Sequence, residues 1–518
     1  MACLEDLPDE LIIFIWNKLS TVELLGSFIG VNRRFDKLIR DVNYTRSIEL
    51  IDKNLNQKYC SLPDPLLNQL CSYFLPEIQE NIECLTLEPH SMERILSAGQ
   101  YPHLYKLILV NFGHQSTRRY FTDQSPFLDL FKQKVTCLKI SIDDAKLKLL
   151  LVTENENLYA LVSFIFPQLT DFTFTCHPFW RRYAHLTIDE SCQSSSFLRN
   201  IVNLSIDVDT LDDCFRLLGS RLNYLREFII RIYKIQPSTL VIDNKVLHNL
   251  RCFSLSSSKT TSAYDSSILP LLQRMISLEK LMLNLSVDRT TTFLDGFHFK
   301  DKIFSYMTRL QRFDFEIETF IQSNEQTNVE IQASFSGDSR YGQVISYIDY
   351  NLYGDVKCHI FSLPYTMNET LGISSHFSEG FIPNVRSLTL LDTNYSFEHQ
   401  FFMKISQSFP YLARLYIVNS NAQKNTDSNQ STIIEFPYLN KLTLLISHLD
   451  YSEQFLVDTN IRLLRLSHLT ISYEHLVIVT EHFTRDATRR NCAQLNYIDF
   501  FEQAVHSEGF YRYFPLLK

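Results

Sequence analysis

Four apolar residues, Val385, Leu412, Leu439 and Leu466, stand in equal steps of 27 residues, and each opens the same short pattern, apolar-x-x-apolar-x-apolar. The triples read Val385/Leu388/Leu390, Leu412/Leu415/Ile417, Leu439/Leu442/Leu444 and Leu466/Leu469/Ile471. One triple says little: where Leu, Ile, Val and Phe fill roughly a third of positions, about one window in twenty-seven matches by accident. Equal steps do not arise that way. They imply that each copy is one structural unit stacked on the next, because so short a unit cannot bury its apolar face alone.

Looser copies carry the pattern along the chain: Leu104/Leu107/Leu109, Leu169/Phe172/Phe174, Ile201/Leu204/Ile206, Leu250/Phe253/Leu255, Leu278/Leu281/Leu283, Leu310/Phe313/Phe315 and finally Leu495/Ile498/Phe500. The last two members of each triple alternate as one face of a strand does. Several copies share an apolar-Pro-x lead-in, as in Tyr101-Pro102-His103, Phe166-Pro167-Gln168, Ile382-Pro383-Asn384, Phe409-Pro410-Tyr411 and Phe436-Pro437-Tyr438. Proline there stops a preceding helix before the strand begins. Amphipathic stretches from Phe401 to Phe409 and from Asp212 to Leu222 predict helices between strands. The unit is strand, loop, helix. With 39 Phe and 26 Tyr against 12 Gly among 518 residues, the composition is that of a packed globular chain.

This pattern resembles the leucine-rich repeat over residues 80 to 510. The resemblance implies an α/β solenoid with parallel strands on its concave side and helices on its convex side. Counted from the first apolar residue, the ninth position holds Asp209, Ser258, Ser286, Thr393, Ser420 and Ser447, where leucine-rich repeats place Asn or Cys. Such short polar side chains are expected to satisfy backbone groups at the turn. The period breaks between residues 328 and 364, a stretch rich in Val, Ile, Tyr and Phe with turn signals at Gly337-Asp338 and Gly354-Asp355. It reads as an antiparallel hairpin projecting from the array, or as an atypical repeat.

From Leu4 to Ile39 the chain reads as three short helices. Asp6 is placed to cap the first, which Pro8 opens and which carries Leu11, Ile12, Ile15, Trp16 and Leu19 on one apolar face. Thr21 is placed to cap the second, with Val22, Leu24, Leu25, Phe28 and Ile29, and the third begins near Asn32. So small a unit has more apolar surface than it can bury within itself. That surface either docks on a partner or closes the first coil of the array.

The order Leu7-Pro8-Asp9-Glu10-Leu11, then Leu19, Leu24-Leu25, Val31-Asn32-Arg33-Arg34-Phe35 and Leu38-Ile39, resembles the F-box across its length. The resemblance implies docking on the adaptor Skp1, and through it on a cullin, by Leu7, Pro8, Glu10, Leu11, Ile15, Leu19, Leu24, Phe28, Val31, Phe35 and Leu38. The organisation it implies is an F-box over residues 1–48, a helical linker or cap over 49–80 and the solenoid over 81–518. Such a chain is a substrate-recognition subunit of a ubiquitin ligase; the alternative is a non-ligase scaffold whose helices only cap the array.

No phosphate-cradling Gly-rich loop, HExxH helix, GxSxG elbow or Cys-x-x-Cys pair occurs, so neither an enzyme nor a bound cofactor or metal is expected. The 11 cysteines are scattered singly and read as reduced thiols. Asp143-Asp144, Asp212-Asp213 and His177 read as surface groups near helix starts, and Arg181-Arg182 and Arg489-Arg490 as helix-end charge. A net charge of -9 gives no footprint for nucleic acid. The start Met1-Ala2-Cys3-Leu4-Glu5-Asp6 has no signal-peptide pattern and no apolar run reaches membrane-spanning length, so a cytoplasmic and/or nuclear protein that does not enter membranes is expected. The third position of successive copies holds Lys106, Lys280, Arg312, Arg414 and Lys441 against Asp171 and Glu227, a weak basic row on the strand face. Lys280, Arg312, Arg414, Tyr416 and Lys441 are therefore the expected contacts for a captured protein, with an acidic or phosphorylated segment as its target.

Overall fold

The computed structural model describes residues 4–53, 59–112, 116, 119–122, 124–142, 158–176, 199–219, 222–238, 240, 246–257, 259–290, 292–322, 326–350, 356–367, 372–377, 380–424, 432–444, 446–500 and 508–517. The chain is mixed α/β, and it divides into two compact units, residues 1–257 and 258–518. Asp143-Asp144, His177, Arg181-Arg182, Ser258 and the Gly354-Asp355 turn lie outside the described residues.

The first unit opens with α1 (Asp9–Trp16), α2 (Thr21–Phe28) and α3 (Arg33–Ile39). Both caps expected from the sequence, Asp6 and Thr21, differ in the structure. Pro8, not Asp6, precedes α1 and makes no side-chain cap, and Leu4–Asp6 forms a turn of 3-10 helix instead. Ser20, not Thr21, caps α2: its hydroxyl accepts from the Glu23 N–H at 3.2 Å, and the Glu23 carboxylate accepts from the Ser20 N–H at 2.8 Å. That reciprocal pair satisfies two backbone donors, one more than Thr21 alone would reach, and it holds the Glu23 carboxyl below its usual pKa. The third helix begins where expected, and Asn32 caps it, accepting from Phe35 N–H at 2.8 Å. Gly30, at φ +79°, makes the left-handed turn between α2 and α3.

Trp16 is the centre of this helical unit. It is 1% exposed, and the rings of Phe28, Phe35 and Tyr44 surround it at 5.1, 5.4 and 6.4 Å. Arg34 fastens the leading segment to α3, donating to the Asp9 carboxylate at 2.8 Å and to the carbonyls of Glu5 and Leu7 at 2.7 Å each.

Parallel strands follow in chain order: β1 (Ser47–Glu49), β2 (Cys84–Leu87), β3 (Lys106–Val110), β4 (Cys137–Ile142), β5 (Asp171–Cys176), β6 (Asn203–Val208), β7 (Glu227–Ile232) and β8 (Cys252–Ser257). Register places Ile48, Leu85, Leu107, Leu138, Phe172, Leu204, Phe228 and Phe253 in one continuous row, all buried. The sheet thus begins at Ser47, ahead of residue 81, while residues 64–78 are helical. The expected helix between Asp212 and Leu222 is α4 (Leu211–Gly219), and the Asp212-Asp213 doublet lies in its first turn, though Asp213 is buried, not on the surface, and accepts from Thr210. Pro102 and Pro167 sit in turns directly before strands.

In the second unit, β9 (Lys280–Asp288) pairs parallel with β10 (Arg312–Ile321). The period-breaking stretch is partly as read. Its antiparallel strands are β11 (Gln343–Tyr350) and β12 (Val356–Leu363), but residues Asn328–Ser334 form helix α5 behind a Thr327/Glu330 capping box. Nor does the hairpin project: β12 pairs antiparallel with β10 from Glu316↔Phe361 to Ile321↔Val356, so its backbone groups are satisfied by the sheet.

The equal 27-residue copies form β13 (Ser387–Leu391), β14 (Arg414–Val418), β15 (Lys441–Leu444) and β16 (His468–Ile471), with β17 (Tyr497–Phe500) last, all parallel and in register. Leu388, Leu415, Leu442 and Leu469 make one fully buried row that Ile498 closes, half-buried, and the first members Val385, Leu412, Leu439, Leu466 and Leu495 lie buried beside it. Each such Leu contributes about 1.5–3 kcal/mol by leaving water. Helix α6 (His399–Ser408) occupies the amphipathic stretch before Pro410.

After β13 and β14 the turn is satisfied one position earlier than expected, whereas after β15 the eighth position is Ile446, 73% exposed, and the ninth, Ser447, is buried. Asp392, not Thr393, accepts from the N–H groups of Asn394 and Tyr395 at 2.9 Å each. Asn419, not Ser420, accepts from Asn421 N–H at 2.9 Å and donates to the Tyr395 carbonyl at 2.7 Å. The eighth position turns inward here, where a carboxylate or amide has two acceptor directions and the ninth-position hydroxyl has less reach.

Candidate functional site

Two surfaces carry the side chains singled out by sequence. The first is α1. Every residue from Leu11 to Trp16 is apolar, more than one face can bury, and the structure divides them. Ile12 and Trp16 turn into the bundle, at 0% and 1% exposed, while Leu11, Phe14 and Ile15 remain 49%, 62% and 39% exposed. The single apolar face read from the sequence is therefore two faces, one packed and one open. Leu19 and Val31 extend the open one; Pro8 and Glu10 are exposed, and Leu7, Phe28 and Leu38 half-buried.

Two expected docking residues are corrected. Leu24 and Phe35 are 5% and 2% exposed, because Leu24 faces the bundle interior and Phe35 stacks edge-on against Trp16, so neither presents a contact surface. Phe14, the most open apolar side chain of the helix, falls outside the set picked from sequence. Its spacing from Leu11 and Lys18 was the available signal, since i, i+3, i+4 and i+7 mark a second stripe, and the Lys18 ammonium lies 5.3 Å from the Phe14 ring.

The second surface is the outward face of the strands in the second unit, where the expected basic row is broken. Lys280 and Arg312 are register partners, yet both turn to buried Asp314, at 3.8 and 2.8 Å, so their charge is neutralised within the fold. Arg414 and Lys441 are register partners on β14 and β15, with His468 beside them on β16. Burial, with Arg414 adjacent, holds the Lys441 ammonium below its usual pKa although Asp499 opposes the shift. Burial and Lys441 likewise depress His468. Tyr416 stands two residues along β14, level with Thr389 and Thr443.

A cavity of about 270 Å³ in the second unit is lined by Glu318, Asp349, Lys357, His376 and Tyr395 among others. Burial disfavours the Lys357 ammonium, but Glu318 at 3.3 Å and Asp349 at 3.2 Å more than offset it and raise its pKa. An ammonium held charged in this way is neither a nucleophile nor a general base near neutral pH. Beneath it runs a closed polar chain: Glu316 accepts from Tyr365 at 2.6 Å and from Asn284 at 3.1 Å and meets His359 Nε2 at 3.2 Å, while His359 Nδ1 bonds the Tyr347 hydroxyl. Glu316 and His359 are 1% and 0% exposed, which closes them to a substrate.

No group of three His, Cys, Asp or Glu able to hold a metal occurs among the described residues. Arg489 and Arg490 pair with Asp486 and Asp458 at 3.2 and 3.4 Å around the helix Asp486–Cys492. No described helix is long and apolar enough to cross a membrane. No protein-family model matches the chain, and no curated protein matches its sequence.

Proposed function

We propose that this chain is the substrate-recognition subunit of a Skp1–cullin–F-box ubiquitin ligase, its helices α1 to α3 forming an F-box and its stacked strand–helix copies a leucine-rich-repeat-like solenoid. The observation that carries this reading is the open apolar face of α1. Leu11, Phe14 and Ile15 stay in water although the same helix buries Ile12 and Trp16. A helix of eight residues that keeps three large apolar side chains exposed is built to be covered, and the F-box-like order of residues 7 to 39 names a Skp1-like adaptor as what covers it. The chain then supplies positioning alone. Holding a captured protein near the charged conjugating enzyme raises the effective concentration of its lysines, which requires no catalytic group here.

One observation favours the scaffold reading: α2 packs beside β1, the first strand of the sheet, as a cap would. Docking and capping use different faces, so one experiment separates them. The full chain is co-expressed with recombinant Skp1 and compared with the variant Leu11→Asp/Phe14→Asp. The ligase reading predicts co-purification of the original and at least about a tenfold loss for the variant, with its melting temperature retained because both side chains are exposed. A folded original that does not retain Skp1 leaves only the scaffold.

A further inference from the structure

In the second unit, two sheets part between β11, the last strand of one, and β13, the first of the next. β10 and β11 both run antiparallel to β12 and so point the same way. Phe320 near the end of β10, Tyr350 at the end of β11 and Leu391 at the end of β13 all line the cavity of about 270 Å³. Ligands of open α/β sheets sit at such places, outside the carboxyl ends of strands where their order breaks. The space falls just under the usual range for a small-molecule pocket and has room for one long side chain.

Glu318, Asp349 and Asp392 bring three carboxylates to this cavity against one ammonium, Lys357, so negative charge is in surplus whichever form His376 takes. Asp392 is spent on the N–H groups of Ser375, Asn394 and Tyr395. The other two carboxylates are not. Glu318 meets Lys357 through Oε1 at 3.3 Å, and its Oε2 bonds no group among the described residues. Asp349 Oδ1 accepts from the Ser374 hydroxyl and meets His376, each at 2.8 Å, but its buried Oδ2 faces Lys357 at 3.2 Å as an ion pair without accepting a hydrogen bond. These side chains are 12% and 14% exposed, and carboxylate oxygens so far withdrawn from water call for donors. Aromatic rings complete the lining: Tyr350 and Tyr395 remain 54% and 43% exposed, and the His376 ring braces Tyr395 edge-on at 5.0 Å.

We propose that this cavity takes an arginine side chain of a captured protein, its guanidinium donating to Glu318 Oε2 and Asp349 Oδ2 and its plane lying against Tyr350 and Tyr395. The proposal rests on the capture role given above to the chain and is independent of adaptor docking. An anion would meet the surplus of carboxylates. A metal ion has no place, because no group of three His, Cys, Asp or Glu able to hold one occurs among the described residues. Between the two organic cations, an ammonium is a compact, strongly hydrated point charge, and Lys357 already stands where such a charge fits, between Glu318 and Asp349. A guanidinium is flat, sheds water more readily, stacks on aromatic rings and presents several donors in a fork, which suits two acceptors on separate residues beside two tyrosines.

The test is a saturation-transfer NMR titration of the full chain with four probes: a Gly-Arg-Gly tripeptide blocked at both ends, its citrulline and lysine counterparts, and free L-arginine. The arginine tripeptide binds at least about tenfold more tightly than the citrulline one, which keeps the shape without the charge. It also binds more tightly than the lysine peptide, and than free arginine, whose own carboxylate the cavity repels. Glu318→Gln weakens this binding about tenfold and Tyr395→Ala about fivefold, and because Tyr395 is exposed its truncation leaves the melting temperature unchanged. A preference over citrulline of less than about tenfold, a lysine peptide bound as tightly, free arginine bound more tightly than the peptide, no binding of any probe, or indifference to either substitution overturns the proposal. None of these outcomes bears on co-purification with Skp1.

Discussion

Gly296→Ala lowers the stability of the second unit by about 3 kcal/mol, the upper range for overpacking a closed site. A methyl group at this position would lie 2.3 Å from the Ser334 carbonyl oxygen, 2.5 Å from its carbon and 2.8 Å from Phe335 N, all backbone atoms of or just beyond α5. Backbone cannot swing aside as a flexible side chain can. The contact is also hydrogen-bonded, since Gly296 N–H donates to Ser334 Oγ at 2.8 Å and Tyr341 OH donates to the Gly296 carbonyl at 2.9 Å. Separating these elements therefore loosens the aromatic cluster of Phe299, Phe313, Phe315, Phe335 and Tyr341, whose rings lie between 4.9 and 6.3 Å apart. Urea unfolding reads the change directly. Gly219→Ala at the end of α4, where an added Cβ meets nothing within 4 Å, is the control and changes stability by less than about 1 kcal/mol. Equal effects at the two glycines would refute the close approach.

Glu316→Ala costs about 3–5 kcal/mol by a different route. Tyr365, Asn284 and His359 all turn to this one carboxylate, so its removal takes a hydrogen-bond partner from three polar groups at once, two of them, Tyr365 and His359, buried. Glu316→Gln keeps the shape and two acceptor directions, and costs about 1–2 kcal/mol. The ordering Ala worse than Gln, measured by thermal unfolding, separates a polar network from mere volume; near-equal losses would mean that packing alone holds the site. The effect lies in the sheet where the hairpin joins β10, so it also reports whether β11 and β12 are integral to that sheet.

How far these features could be read in advance depends on whether they follow from alternation. The strands did, because a parallel row such as Leu388, Leu415, Leu442 and Leu469 needs only one apolar residue per 27 and its register is the repeat itself. The proline lead-in did too at Pro410, which stands just past the end of α6 and acts through its own φ and missing N–H, whereas Pro437 follows a two-residue strand, Ile434–Glu435, and no helix. Side-chain reach did not. Whether Asp392 or Thr393 satisfies a turn depends on a rotation of one residue, and Ser20 rather than Thr21 caps α2 because Glu23 lies three positions on to complete the box. The charge row failed for the same reason: Lys280, Arg312, Arg414 and Lys441 look alike as letters, but Asp314 two residues along β10 silences the first two. In α1, periodicity announced an apolar helix without saying which of its two stripes would be covered, and Phe14 was passed over on that account.

Hydrogen–deuterium exchange of the full chain with and without Skp1 tests the central claim most directly. The account predicts protection confined to residues 7–19 and 28–38, the open face of α1 and the α2–α3 turn, with the row at Arg414 and Lys441 unchanged. Unaltered exchange over residues 7–19 in a complex that does form, or protection appearing only in the second unit, would contradict it.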